Sequence, residues 1–340
     1  MKPTPFPSLR NPARTTFLQS LAGLGLAGLA PRLPAYAADL SAVDLRIADV
    51  EHQVSLDASG LSKAVPFKVD WANLTLGPAI VQAYRARAID LGAVGGIPPI
   101  LAASTGLDIK IVAFRYRTIP AYTLVTAPGS DIRRVSDVRG KKIAYSAGQE
   151  QGLFVLKVLQ QARLSKDQVT LVRLTSGEFQ NALASRQVDA APMAEPLLTT
   201  YLNLYGHDGA IVLRPNVQAT PLTLTASAEV LKDPEKVLAI STFLKSWYAA
   251  AVWEYEHAAA WIDAYYVQNQ HVSADDGKRI IADLGKPVFA RNWRKARAIQ
   301  AEAVDFLTAE GVVSNVKADD LFDPRFESLA AASVPSRYLE

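Results

Sequence analysis

Few groups in this 340-residue chain could do chemistry, and their spacing limits what that chemistry would be. There is no cysteine, which excludes disulfides, thiol catalysis and thiolate metal sites. The four histidines are His52, His207, His257 and His271, and no pair has H-x-H or H-E-x-x-H spacing, so no zinc site is expected. Ser146 lies in Ala144-Tyr145-Ser146-Ala147-Gly148, which lacks the first glycine of a nucleophile elbow. No phosphate loop of the G-x-x-x-x-G-K type occurs. With no nucleophile beside a base, no catalytic residue, metal or cofactor is expected, and binding is the chemistry to look for.

Two junctions carry that expectation. The run from Ile89 to Ile100 is IDLGAVGGIPPI: a short apolar strand, then Gly95-Gly96, Ile97, and Pro98-Pro99 opening a helix. Proline suits a first helical turn, and the glycines leave the free N–H groups of the helix start unobstructed. A helix start of this kind is a ready anion site. From Tyr145 to Gln151 (YSAGQEQ) a second strand ends, small residues turn the chain and another helix begins. Ser146 and Gln149 are its neutral donors. A helix terminus contributes roughly 0.3–1 kcal/mol to an anion at the surface and up to about 2 when partly buried. Gln53 follows the first strand, Thr75 opens a helix as Thr75-Leu76-Gly77-Pro78, and Tyr122 lies at a crossing between lobes. Glu195 precedes Pro196 at the end of a buried-looking strand. The expected ligand contacts are thus Gln53, Thr75, Gly95, Gly96, Ile97, Tyr122, Ser146, Gln149 and Glu195. Arg115 and Arg117 alternate on one strand face; they are read as a solvated strand edge in preference to an anion clamp.

The elements that must hold these groups follow an α/β pattern. Strands are expected at Leu45–Ala48, Leu91–Val94, Ile109–Phe114, Lys142–Tyr145, Val169–Leu174 and Asp189–Met193, alternating with helical runs that include Gly152–Ala162 and Phe179–Ser185. Leu222–Thr225 reads as a strand returning to the first lobe, and helices dominate from Asp233, where Trp247, Trp253, Trp261 and Trp293 are expected to pack between them. A short repeat organises the chain: Arg87-Ala88-Ile89-Asp90 and Arg186-Gln187-Val188-Asp189 each precede a strand, and six residues past each aspartate stand Gly96 and Glu195. Two similar lobes would each aim strand ends at a common crevice, where ligands of open α/β sheets sit.

The N-terminus explains the basic excess, a formal net charge of +3. Lys2, Arg10 and Arg14 precede an apolar run from Phe17 to Ala30, and Ala35 and Ala37 fit a signal-peptidase site. Without the leader the 36 basic residues fall to 32 against 33 acidic, which gives no argument for nucleic acid or membrane binding. The expected division is a signal peptide at 1–37, a first lobe from 38–122 and 222–340, and a second lobe at 123–221.

Several motifs together resemble one family. IDLGAVGGIPPI, the T-L-G-P helix opening, VSDVRGKKIAYSAG at Val135 to Gly148 and RQVDAAPMAEP at Arg186 to Pro196 are similar to the substrate-binding proteins of ABC importers for sulfonates, taurine and nitrate. The resemblance implies a two-lobed periplasmic-binding-protein fold of the second type, each lobe a mixed sheet flanked by helices with the ligand between. It also implies a periplasmic monomer that delivers a small anion, a sulfonate first, to an inner-membrane permease with its ATPase. The family usually reads G-D-x-P-P, so Gly96 stands where a carboxylate is expected, and the ligand is expected to be more anionic or bulkier there than taurine. Glu195 stands at an acidic position that can face the cleft. The alternative within the same resemblance is an aromatic sulfinate desulfinase, against which the absence of cysteine weighs.

Overall fold

The computed structural model describes residues 39–75 and 77–340; the expected leader at 1–37 lies outside them. In chain order the first strands and helices are β1 (Asp44–Ala48), α1 (Val50–Ser59), β2 (Lys68–Trp71), α2 (Gly77–Arg85), β3 (Leu91–Val94), α3 (Ile97–Ser104) and β4 (Ile109–Arg117). Next come β5 (Thr123–Thr126), β6 (Lys142–Tyr145), α4 (Glu150–Gln161), β7 (Thr170–Arg173), α5 (Phe179–Ala184), β8 (Ala190–Met193), α6 (Leu197–Tyr205) and β9 (Val212–Leu213). The chain then forms β10 (Leu222–Ser227), α7 (Pro234–Glu256), α8 (Ala258–Trp261), α9 (Ala274–Leu284), β11 (Pro287–Val288), α10 (Arg294–Ala309) and α11 (Leu329–Ser333).

The strands make two mixed sheets. The first has the order β11-β4-β10-β3-β1-β2 and the second β7-β6-β8-β5-β9. Within the first, β1 runs parallel to β2 and β3, while β10 is antiparallel to β3 and β4. In the second, β6 is parallel to β7 and β8, and β5 is antiparallel to β8 and β9. The helix after each parallel strand therefore starts at the carboxyl end of its sheet. That places the starts of α1, α2 and α3 at one edge of the first sheet, and those of α4 and α6 at one edge of the second.

The short repeat has a common geometry in both sheets. Arg87 and Arg186 both take left-handed backbone, with φ of 54° and 57°, at the turn that leaves a helix. The aspartate three residues on then locks the entry of its strand to a neighbour. Asp90 N–H donates to the Arg46 carbonyl at 2.8 Å while its carboxylate accepts Arg46 N–H at 2.9 Å. Asp189 repeats this with Lys142, at 2.7 Å in both directions. The sixth residue beyond each aspartate thereby arrives at the start of a helix, Gly96 before α3 and Glu195 before α6.

Packing explains the remaining boundaries. Strands buried on both faces read as unbroken apolar runs, as in β3, β8 and Ile143 to Tyr145 of β6. Gly92 is required because a Cβ there would meet Ile80 and Tyr84 of α2. The tryptophans Trp247, Trp261 and Trp293 are buried and Trp253 is partly buried, packing among the helices as expected. β2 is bounded at Lys68–Trp71 because that is the stretch that pairs with Asp44 to Ile47. One element reading needs correction. β4 runs on from Phe114 to Arg117, since β10 and β11 flank it and Arg117 still pairs with Pro287.

Candidate anion-binding cleft

The two junctions singled out in the sequence meet, but a third segment stands between them. Gly96 N–H donates to Thr220 Oγ1 at 2.8 Å. The Thr220 hydroxyl donates onward to Glu150 Oε2 at 2.6 Å, and Thr220 N–H to Glu150 Oε1 at 2.8 Å. Gln300 of α10 closes the chain of contacts by donating from Nε2 to the Gly96 carbonyl at 3.1 Å. The start of α3 is thus tied to the start of α4 through the residue that leads into β10. Gly77 brings α2 to the same place: a Cβ there would stand 2.9 Å from Pro98.

The donors at the two helix starts are unequal. Pro98 and Pro99 have no N–H and that of Gly96 is taken, so Ile97 is the only amide left among residues 96–99. The reading of this junction as an unobstructed anion site is corrected accordingly. The side chain of Ile97 is wholly buried in the core, so only its amide can face a ligand. Gly95 has open space where a Cβ would be. At α4 the position is better. Gln149 is the N-cap residue in extended backbone, with its side chain making no capping bond. The amides of Gly152 and Leu153 both donate to the Gln149 carbonyl, while those of Glu150 and Gln151 have no acceptor among the described residues. Ser146, 3% exposed, accepts Gln149 N–H through its carbonyl, and its hydroxyl makes no hydrogen bond among the described residues. The helix starts at Glu150, two residues before the expected Gly152. Gly152 allows this tight turn, because a Cβ on it would collide with the Ser146 carbonyl. Gly148, at φ +69°, faces Leu101 of α3 and Val312.

Burial pushes the Glu150 carboxyl up from its ordinary 4.5, and the two bonds from Thr220 oppose that. Tyr122 is half-buried, its ring 5.9 Å from Phe154 of α4; burial and then the nearby Glu150 push its hydroxyl up. Gly96, Tyr122, Ser146 and Gln149 therefore surround Glu150 and Thr220. The remaining candidates make no hydrogen bond to this cluster among the described residues. Thr75 is exposed just ahead of α2, and Gln53 is half-buried on α1, its side chain making no hydrogen bond among the described residues. Glu195 is half-buried and accepts Thr199 N–H at 3.1 Å, capping its own helix. Burial and Asp283 push its carboxyl up, against Thr199 and Arg214.

Arg115 and Arg117 do not form a solvated edge. β4 lies inside the sheet, and Arg115 is 2% exposed with its guanidinium between Glu254 at 2.8 Å and Glu51 at 2.5 Å. Arg117 reaches the same Glu51 oxygen at 3.4 Å. Burial pushes the Glu51 carboxyl up, but the two guanidinium groups outweigh it and hold it down at about 2. Nearby, Asp49 caps α1, accepts Trp247 Nε1–H at 3.0 Å and lies 2.8 Å from His52 Nδ1, with His52 stacked on Trp247. The aromatic residues Phe114 and Tyr116 are buried in this core.

Sequence reasoning missed Glu150, Thr220 and Gln300. Gln300 left one signal: it is a polar residue within the buried stripe Ala296, Ala303, Val304 and Leu307 of α10. The expectation that Gly96 leaves the crevice without a carboxylate is also corrected. A side chain at Gly96 would run into Thr220 and Gln300, and Glu150 supplies a carboxylate one hydroxyl away.

The chain is similar to a protein of Escherichia coli K12 named for aliphatic sulfonate binding, at 30% identity over 40% of this chain and 42% of the relative. A Bacillus subtilis 168 protein with the same name is 30% identical over 58% and 59% of the two chains. The chain thus spans about half the length of the curated relatives it matches. Among solved structures, the alkanesulfonate-binding protein SsuA of Xanthomonas axonopodis pv. citri, bound to MOPS, superposes with a TM-score of 0.71 at 22% identity. That match covers 83% of this chain and 99% of SsuA. The desulfurization enzyme DszB reaches 0.59 at 17% identity, over 83% of this chain and 97% of the enzyme. These likenesses establish the α/β periplasmic-binding-protein fold, with its two helix-flanked sheets. No helix among the described residues is long and apolar enough to cross a membrane. A family model described as NMT1/THI5 like matches residues 77–257, and with more than half of its length so matched the chain belongs to the NMT1/THI5-like family.

Proposed function

We propose that this protein is the periplasmic solute-binding component of an ABC importer. It takes a small organic anion, a sulfonate first, between two lobes and hands it to an inner-membrane permease with its ATPase. On this reading residues 38–122 and 222–340 form one lobe and 123–221 the other, and the leader at 1–37 is removed on export of a monomer. The observation that carries the proposal is the start of α4, where two amides without an acceptor among the described residues follow directly on the buried Ser146 and the N-cap Gln149, whose side chain makes no capping bond. Such a set suits a weakly basic anion that needs hydrogen bonds and a helix terminus but no salt bridge. The names of the sulfonate-binding relatives support the same ligand class.

The enzymatic alternative has less support. The Asp49–His52 contact is sealed behind Trp247, with His52 wholly buried and no hydroxyl bonded to its ring among the described residues. Ligand binding would bias an open–closed equilibrium, which the permease would read.

Thermal unfolding of the mature chain against alkyl and aryl sulfonates, sulfinates, taurine, nitrate, carboxylates and pyrimidines tests the proposal. A ligand at a hundred times its dissociation constant adds about 2.7 kcal/mol, which raises the midpoint by several degrees. The expected result is a shift with sulfonates and no product released. Absence of any anion-dependent shift would overturn the receptor reading, and turnover of an aromatic sulfinate would replace it with the enzyme.

A further inference from the structure

What the fold fixes between the starts of α3 and α4 is a negative charge. Glu150 sits at the first position of α4, next to the free amides, and both its oxygens are held by Thr220. The Thr220 hydroxyl is itself fixed by Gly96 N–H, so the carboxylate cannot turn away without breaking these contacts. Behind Gly96, Gln300 Oε1 is fully buried with no partner among the described residues, a second acceptor and no compensating donor. An anion bound at the α4 amides therefore sits beside a fixed carboxylate.

We infer that Glu150 is a specificity-determining residue of this cleft. It admits singly charged anions, rejects dianions, and makes anion affinity rise as the pH falls. The inference rests on the anion-receptor reading and deepens it. The head of an alkanesulfonate and inorganic sulfate present the same three-oxygen face to amide donors, so shape alone separates them poorly. Charge separates them, because Coulomb repulsion from a fixed carboxylate doubles for a dianion and is weakly screened at a buried site. Specificity of this kind is built from a repulsive element set beside the attractive ones.

The groups around Glu150 leave it as the one that titrates. On its own helix Lys157, ion-paired to Glu302 of α10 at 2.9 Å, also lowers the Glu150 carboxyl, and burial outweighs it. From the segment leading into β5, Tyr122 is held neutral by burial and by Glu150 itself. Thr220, Gly96 and Gln300 carry no charge. Burial already favours the proton on Glu150, and an anionic neighbour favours it further. Binding of an anion thus takes up a proton, and by linkage affinity increases as the pH falls toward the range in which Glu150 protonates, above 4.5.

Isothermal titration calorimetry with ethanesulfonate and with inorganic sulfate, from pH 5 to 8, tests this on the native protein and on Glu150→Gln. Ethanesulfonate stays ionised throughout, so any pH dependence belongs to the protein. The native protein is expected to bind ethanesulfonate about tenfold more tightly at pH 5 than at pH 8, and sulfate far more weakly. Glu150→Gln is expected to bind ethanesulfonate with a flat pH profile, at the affinity the native protein reaches at pH 5, and to gain sulfate binding. An unchanged profile and an unchanged sulfonate-to-sulfate ratio in Glu150→Gln would overturn the inference while leaving the receptor reading intact. Should the variant fail to fold, a flat profile in the native protein overturns it equally. If neither protein binds either anion at any pH, the receptor reading falls, and this inference with it.

Discussion

Arg115 shows how much of a site is invisible to local sequence. Its alternation with Arg117 on one strand face is legible, yet the carboxylates that hold it come from Glu51 and Glu254, 64 and 139 residues away. Nothing near Arg115 announces them, and an arginine followed by a second arginine reads as an exposed edge. The same applies to Thr220 and Glu150, which meet across 70 residues, whereas Ser146 and Gln149 were readable because a turn and its helix start are contiguous in the chain. The buried arginine leads to a direct prediction. Arg115→Met leaves Glu254 as a buried carboxylate without its cation and the half-buried Glu51 with Arg117 alone, a loss of about 3–5 kcal/mol in urea unfolding at neutral pH. Its pH dependence follows from Glu51, whose carboxyl is held at about 2 in the folded protein against an ordinary 4.5. A depressed value of this kind stabilises the fold above 4.5, and that stabilisation is lost as the pH falls through about 2. The gap between native protein and variant should therefore narrow steadily between those values. A gap of equal size at pH 7 and pH 3 would show that the pair contributes through packing alone.

At the level of elements, the legible features are those set by a local pattern. β3 and β6 have the expected bounds because short apolar runs end at glycine or serine turns, and the Arg–x–x–Asp repeat encodes one strand-entry lock used twice. Reading failed where a polar residue belongs to an element for reasons of tertiary packing. Glu150 begins α4 although it resembles loop, and Arg115 and Arg117 extend β4 although they resemble its end. The α4 start also depends on the absence of a side chain. Gly152→Ala would place its Cβ against the Ser146 carbonyl, so the turn from Ser146 to Gln149 must move. A stability loss of about 1–3 kcal/mol is expected, together with loss of the sulfonate-dependent rise in Tm. Gly177→Ala is the comparison, since a Cβ there has open space and its backbone is not left-handed. It should lie within about 0.5 kcal/mol of the native protein and keep the ligand response. Equal behaviour of the two variants would remove the α4 turn from the binding site.

Across the whole molecule, the two sheets are joined by more than the crossings of the chain. On one flank Lys157 pairs with Glu302 at 2.9 Å and Lys166 with Glu310 at 2.6 Å, linking the α4 region to α10. On another, Arg214 pairs with Asp283 at 2.7 Å, and Asn203 of α6 bonds Asp276 and Arg279 of α9. The Glu150–Thr220–Gly96 contacts join the start of α3 to the start of α4 at the candidate site. Each exposed pair contributes only about 0–1 kcal/mol to folding, so their removal should barely move Tm. Their position matters more than their strength. If the sheets belong to lobes that close on a ligand, pairs bridging α4 to α10 and β9 to α9 form only in the closed arrangement and set how often the free protein visits it. The combined variant Lys157→Met, Lys166→Met and Arg214→Met should therefore shift the free protein toward the open form, seen as a larger radius of gyration in small-angle scattering. Sulfonate affinity should fall in proportion to the lost closed population, while saturating ligand restores the native radius. A free-state radius and an affinity both equal to those of the native protein would show that the bridges are incidental to closure. The balance between open and closed forms would then rest on the contacts the variant keeps, Glu150–Thr220–Gly96 and Asn203 with Asp276 and Arg279.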